Sequence, residues 1–275
     1  MLPVWLFGGT SMIGWHVIRS SIQGLEVFCN RFAKFAACRD WRRINLDDAD
    51  DVQALFASAA PRYVICCAGI CDVDKCETDP DWAYRINVDG IVNLLANLPA
   101  TTRFVYCSSD HVFSGDTGPY DEASDLDPIT VYGQTRKTAE ALIREARPDA
   151  LIVRAGPVIG DSVDSRTGYL DWLRYRHREG LPITVVEDEA RSAVSGPDLA
   201  TRIVALTMSD CAGIRHVAAP AVSRLELAMY LNREYEIGAD IAVERRVDRL
   251  VPHIGRIELT TLYDDALVEP LQLIP

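Results

Sequence analysis

Val4-Trp5-Leu6-Phe7, running directly into Gly8-Gly9-Thr10-Ser11-Met12-Ile13-Gly14, is the stretch that decides the fold. Four apolar residues in a row predict a strand buried on both faces. Beyond the glycines, Ile13, Val17 and Ile22 fall near helical spacing. Strand, glycine-rich turn and helix together offer backbone N–H groups and the positive end of a helix to a pyrophosphate. Gly8 suits the tight turn and Gly14 the close packing of helix on strand. Ser11 stands where the middle glycine of a G-x-x-G-x-x-G loop would lie. Its hydroxyl either replaces a backbone contact or its bulk weakens the site.

Leu25-Glu26-Val27-Phe28-Cys29 predicts a second strand, ending at Asn30-Arg31. In a dinucleotide fold an acid at this point binds a ribose 2′-hydroxyl, whereas a cation binds a 2′-phosphate. Arg31, with Lys34 nearby, favours NADP(H) over NAD(H). Helices and apolar strands then alternate: a helix from Val52 to Ala60, a strand from Tyr63 to Cys67, a helix from Trp82 to Leu98, and a strand from Arg103 to Cys107. A helix carrying Tyr132 and the apolar run Ala150-Leu151-Ile152-Val153 close the series. The pattern predicts an α/β protein with a Rossmann-type doubly wound parallel sheet. Such sheets bind ligands at the carboxyl ends of their strands. Gly8 to Gly14, Ala68-Gly69, Ser109 and Pro157 all follow strands and gather on that edge.

Tyr132-Gly133-Gln134-Thr135-Arg136 reproduces a Tyr-x-x-x-Lys pair with arginine in the lysine position. A phenol titrates near pH 10 and exchanges protons near neutrality only beside a stabilising cation. Residues four apart share a helix face, so Arg136 supplies that cation. Unlike lysine, it cannot release a proton.

The chain resembles the extended short-chain dehydrogenase/reductases, in the dTDP-4-dehydrorhamnose reductase branch. One block is Cys66-Cys67-Ala68-Gly69-Ile70-Cys71-Asp72-Val73-Asp74-Lys75-Cys76-Glu77, followed by Asp79-Pro80 and Ala83-Tyr84-Arg85-Ile86-Asn87-Val88. A second is Ser108-Ser109-Asp110-His111-Val112-Phe113-Ser114-Gly115, then Pro119-Tyr120-Asp121-Glu122, Pro128 and Val131-Tyr132-Gly133. The resemblance implies that Ser109 hydrogen-bonds a substrate carbonyl, Tyr132 donates the proton and Arg136 assists both tyrosine and cofactor. It implies a dinucleotide site made of Gly8, Thr10, Ser11, Met12, Ile13, Gly14, Asn30, Arg31, Asn45, Leu46, Cys67, Ala68, Gly69, Tyr132 and Arg136. Substrate contacts fall to Cys71, Asp110, His111 and Arg191. The chain departs from the pattern at Ser11, at Arg136, at His111 where tyrosine is usual, and at Asn45 where aspartate is usual. His111 either relays a proton or is a packed bystander.

After Gly160 the pattern changes, so residues 1–160 are expected to bind the cofactor and 161–275 to form a smaller substrate lobe. Tyr169 to Arg178 predicts a basic-aromatic helix, and Ile214 to Ala218 a strand returning to the main sheet. Arg191-Ser192-Ala193-Val194-Ser195-Gly196-Pro197-Asp198-Leu199-Ala200 is similar to a family motif whose arginine lies at the substrate end, which implies a diphosphate contact for Arg191. Arg245, Arg246, Arg249 and Arg256 form a loose basic group, expected to be a solvated face.

The chain has 275 residues, 48% hydrophobic, with a net charge of −12, which argues against a nucleic-acid partner. No leader or membrane span is expected, so the location read is cytoplasmic. The eight cysteines match no zinc spacing and are expected as reduced thiols, with no metal. The favoured activity is NADP-dependent reduction of a keto group on a nucleotide-linked deoxysugar or related carbonyl compound, with a homodimer possible. The alternatives are a catalytically silent NAD(P)-binding regulatory subunit, which Ser11 and Arg136 favour, and an epimerase or dehydratase of the same fold.

Overall fold

The structure, a computed structural model, describes residues 3–20, 22–264, 266, 267 and 269–273. β1 (Val4–Phe7) leads into α1 (Met12–Ile18), β2 (Leu25–Cys29), the two-residue β3 (Arg42–Arg43) and α2 (Ala49–Ser58). β4 (Tyr63–Cys66) is followed by α3 (Val73–Thr78), α4 (Pro80–Tyr84), a π-turn over Arg85–Asp89 and α5 (Gly90–Asn97). β5 (Arg103–Cys107), α6 (Val131–Ala146) and β6 (Leu151–Arg154) come next.

The remaining chain forms β7 (Val158–Ile159), α7 (Tyr169–Arg178), β8 (Thr184–Val186), β9 (Ala190–Arg191), β10 (Val194–Ser195) and α8 (Gly196–Met208). β11 (Gly213–His216), β12 (Val222–Ser223), α9 (Arg224–Glu234), β13 (Ala242–Glu244) and β14 (Arg256–Ile257) complete it.

Among the described residues, seven parallel strands form one sheet in the order β11-β6-β5-β4-β1-β2-β3. Strand order reverses at β1, which places the glycine turn at the switch point where such sheets open a crevice. Alternate residues of each strand feed opposite cores. Val4 and Leu6 pack with Ile65, Val105 and Val153 against Val17 of α1 and Leu199 and Ile203 of α8. Trp5 and Phe7 pack on the other face with Phe28, Val64, Phe104 and Ile143. Burial on both sides is why these strands read as unbroken apolar runs.

Most boundaries shift by one to three residues from the sequence expectation, and two differences have a visible cause. α2 starts at Ala49 rather than Val52, because the Asp48 side chain caps it by accepting from Asp51 N at 3.1 Å. The single helix expected from Trp82 to Leu98 is split into α4, the π-turn and α5. The widened turn carries Asn87, whose amide bonds the backbone of Ile70 at 2.7 and 3.1 Å and Thr135 Oγ1 at 3.0 Å.

Beyond β7 the chain is interleaved. α8 and β11 pack with the main sheet, whereas α7, β8 and α9 surround their own core of Leu170, Leu173, Val185, Leu227 and Leu231. β9 lies between antiparallel β12 and parallel β14. Ile254, Ile257 and Leu259 cross back to pack on Val112, Phe113 and Tyr120. In the basic group near the end, Arg245 and Arg256 are exposed as expected, while Arg246 reaches Asp188 at 3.6 Å, Arg249 reaches Glu244 at 3.0 Å and Arg256 reaches Glu258 at 2.7 Å. No described helix is long and apolar enough to cross a membrane.

Candidate active site

The glycine turn is tight for backbone reasons. Gly8 has φ +86°, and a Cβ there would lie 2.5 Å from Ala68 N. At Gly14 a Cβ would lie 2.2 Å from the Gly8 carbonyl oxygen. Ser11 Oγ accepts from Gly14 N at 3.0 Å and caps α1. The hydroxyl is therefore turned back onto its own helix. Thr10 is half-buried in the turn, and the Met12 side chain packs beneath Gly168. Gly14 N is thereby engaged within the turn itself.

At the end of β2, Asn30 Oδ1 accepts from Phe32 N at 2.9 Å, while Arg31 N donates to Asn45 Oδ1 at 3.1 Å. Asn45 thus ties the β2 and β3 ends together. The half-buried Leu46 gives its carbonyl to Asn93. Arg31 points at α2, with Asp48 at 3.6 Å and Asp51 in direct ion pair.

Tyr132 lies in the first turn of α6, which Thr130 caps by accepting from Gly133 N at 3.0 Å. Glu77 fixes the same end by accepting from Val131 N at 2.7 Å. Gly133 lets the helix press against the turn after β5, since a Cβ there would lie 2.1 Å from the His111 carbonyl oxygen. Arg136 is buried one turn below, its guanidinium carbon 5.1 Å from the centre of the Tyr132 ring. Its Nη1 donates to the Tyr106 hydroxyl at 2.7 Å. Burial pushes the Tyr106 phenol up against the pull of Arg136, so Tyr106 stays a neutral partner. A Cβ at Gly69 would meet Arg136 Nη2 at 2.6 Å, so the Ala68-Gly69 turn lies directly on the guanidinium.

Ser109 lies two residues past β5, where it accepts from His111 N at 3.2 Å, while its Oγ donates to Asp110 at 3.2 Å. Asp110 is fully buried and receives Arg191 Nε at 2.9 Å and Nη2 beside it. Arg191 thus spends its fork on Asp110, with its remaining nitrogen 4.0 Å from Glu189. His111 stands edge-on to Tyr132, ring centres 5.2 Å apart. Burial, helped by Arg191, holds its imidazole down at about 4, so it is neutral at pH 7. Cys67 sits with its Sγ 3.4 Å from Cys107 Sγ, and Cys71 is exposed at the rim. Ser109, Asp110, His111, Tyr132, Arg136 and Arg191 therefore form one contiguous set.

A model of the family described as the RmlD substrate binding domain matches residues 2–248. The chain belongs to that family. Among curated proteins, this RmlD-family chain is 30% identical over 184 residues to a probable low-salt glycan biosynthesis reductase of Haloferax volcanii, covering 64% of this chain and 60% of that protein. It is 34% identical over 119 residues to methionine adenosyltransferase 2 subunit beta of Xenopus tropicalis, covering 43% of this chain and 36% of that one. The chain thus spans about three fifths or less of these relatives. A dTDP-4-dehydrorhamnose reductase of Bacillus anthracis, solved in complex with NADP, superposes with a TM-score of 0.80 at 22% identity, covering 97% of this chain and 92% of that one. That likeness establishes the shared Rossmann-type fold.

Several residues packed around these candidates were not singled out by the motifs. Tyr106 is one, being the core-facing residue of an apolar strand. Glu140 is another: it continues the 132, 136 spacing by one more turn and is buried with Arg154 at 2.6 Å, while Ser108 donates to it at 2.5 Å. The third group is Glu189 with Arg224 at 3.3 Å and His253 at 2.8 Å. Burial works against ionising Glu189, but His253, Arg224 and Arg191 outweigh it and hold the carboxyl at about 2. A cleft of about 560 Å³ opens elsewhere, between α1, α8 and the small lobe, lined by His16, Arg19, Asp161, Ser195 and Tyr230. None of the catalytic candidates lines it, so the geometry around Tyr132 locates the site better than cavity size does.

Proposed function

We propose that this RmlD-family chain is an NADP-dependent reductase of a keto group on a nucleotide-linked sugar. The observation that carries the reading is the stack of Tyr132 on the buried Arg136–Tyr106 pair, next to Ser109 at the carboxyl edge of the sheet. The relatives' names support the same class: one is a probable reductase of glycan biosynthesis, and another a probable dTDP-4,6-dihydroxy-2-methyloxan-3-one 4-ketoreductase of Streptomyces antibioticus.

In this reading residues 1–160, joined by α8 and β11, hold the cofactor, and the remainder of 161–275 holds the sugar nucleotide. The glycine turn from Gly8 to Gly14 holds the pyrophosphate, Asn45 and Leu46 the adenine end, and Arg31 a 2′-phosphate. The nicotinamide, when bound, supplies hydride. Ser109 orients the substrate carbonyl oxygen, and Tyr132 passes its hydroxyl proton to that oxygen as negative charge develops. Arg136 stabilises the resulting phenolate as a fixed cation, held in place by Tyr106. Arg191, backed by Glu189, holds Asp110 at the substrate end. Because the Arg191 fork is spent on Asp110, its role is positioning in place of the diphosphate contact implied by the motif.

Incubating the purified protein with NADPH and a dTDP-4-keto-6-deoxyhexose should consume NADPH in the wild type and leave it intact in Tyr132→Phe. Equal consumption by both would end the assignment of Tyr132. A second reading is a regulatory subunit that binds the dinucleotide without turnover. It is favoured by the match to a protein named as a subunit and by the buried arginine at the lysine position. Dinucleotide binding with no consumption of NADPH across a panel of nucleotide-linked ketones, epimerase and dehydratase products included, would favour it.

A further inference from the structure

The Arg31 side chain is the cation that answers a 2′-phosphate, yet it is already engaged. Its Nη2 pairs with Asp51 in the first turn of α2, and its Nη1 lies 3.6 Å from Asp48, the cap of that helix. These residues belong to Asp47-Asp48-Ala49-Asp50-Asp51, four acids in five positions. Asp47 is matched by Arg85 at 3.5 Å, and Lys34, further along the β2 loop, is exposed. A phosphate monoester, with a charge of about −1.5 to −2 at pH 7, must therefore take the guanidinium from two carboxylates and then sit beside them. A ribose 2′-hydroxyl pays no such repulsion and finds acceptors in the same carboxylates.

We propose that Asp51, assisted by Asp48, sets the cofactor selectivity of this site by competing with the 2′-phosphate for Arg31. The inference rests on the dinucleotide-binding reading above, and deepens it by naming the residues that limit the preference for NADPH. The Arg31–Asp51 pair is partly solvent-exposed, 47% and 25% for the two side chains. Such pairs exchange partners at little cost, so the competition acts on selectivity and leaves the fold alone.

The test is calorimetric titration of wild type, Asp51→Asn and Arg31→Gln with NADPH and with NADH at low and at high salt. Asparagine keeps the size of the side chain and removes its charge. Asp51→Asn should shift the ratio of NADPH to NADH affinity about five-fold or more toward NADPH at low salt. The shift should shrink as salt screens the carboxylate. Arg31→Gln should move the ratio the other way. Asp48→Asn, which preserves the α2 cap, should shift it in the same direction as Asp51→Asn. If Asp51→Asn leaves the ratio unchanged while Arg31→Gln still lowers NADPH affinity, Arg31 acts alone and the proposal is overturned. If neither cofactor binds the wild type, the dinucleotide reading and this inference fall together.

Discussion

Arginine at position 136 keeps the charge of the usual lysine, and its second consequence lies in what it holds. The guanidinium is bonded to a phenol that burial keeps neutral, in a pocket shaped by Gly69. Lysine would not reproduce that bond in place, leaving the Tyr106 hydroxyl without its partner at a cost of about 1–3 kcal/mol. Arg136→Lys should therefore lower stability and turnover together, and Tyr106→Phe in the same chain should restore part of the stability. Chemical denaturation of the two single variants and the double variant measures the coupling. Additive losses would show that the two side chains do not act as a pair. Tyr132 and Arg136 were readable as a pair because their four-residue spacing carries the chemistry, and Ser109 was singled out by the block that resembles the family's. Tyr106 was not, because inside Arg103-Phe104-Val105-Tyr106-Cys107 it reads as one more core residue.

Among the elements, α6 decides whether the site exists, because it brings Tyr132, Arg136 and Glu140 onto one buried stripe. Gly133 sets its approach to the turn after β5. Gly133→Ala would drive a methyl into the His111 carbonyl, and relieving it displaces Tyr132. The expected result is destabilisation of about 1–3 kcal/mol and a fall in turnover near 100-fold. Steady-state kinetics beside thermal unfolding separates the two, and unchanged kinetics would show that the helix tolerates the shift. Two turns on, Glu140→Ala would leave Arg154 buried without its carboxylate, at about 3–5 kcal/mol, whereas losses within 1 kcal/mol in urea titration would contradict the burial seen here. The helix was legible from periodicity, and the third member of its stripe follows from the same four-residue step. The split of the helix before it at Asn87 was not legible, since a π-turn answers to tertiary partners at Ile70 and Thr135 and leaves no local pattern.

The whole molecule stores several ionisable groups in states that differ from those of the unfolded chain. His111 titrates at about 4 against an ordinary 6.5, and burial with Arg154 lowers His216 as well. Unfolded histidines bind protons in that interval and the folded His111 does not, so stability should fall as pH drops from 6.5 toward 4, by roughly 3 kcal/mol for His111, and the lowering at His216 acts in the same direction. Glu189, held at about 2 against an ordinary 4.5, adds a loss that begins below 4.5. Melting temperatures across pH 4 to 7 should decline in the wild type and decline less in His111→Gln. Parallel profiles would place the acid sensitivity elsewhere. At this scale the main sheet was readable because strands buried on both faces are apolar throughout, and the glycine turn marked its first strand. The partnership of Glu189, Arg224 and His253 was not, since its members are separated by up to 64 residues and lie in two loops and at the first residue of α9, with no shared period.

The return of residues 254 to 262 onto the turn after β5 has a consequence in the order of manufacture. Glu122 accepts from Leu262 N at 2.8 Å and from Thr261, Tyr120 accepts from Thr260 N, and Ser192 Oγ accepts from Leu259 N. Ser109 after β5 and Tyr132 in α6 leave the ribosome more than 120 residues before the segment that buttresses them. During translation the sheet and its glycine turn can close first, while the wall beneath Phe113 waits for the last stretch of chain to arrive. On the proposed reading, a dinucleotide pocket would thus be present on a nascent chain before its catalytic lip is, and arrest of synthesis short of Leu259 would yield a protein able to grip a nucleotide before it could act on anything beside it.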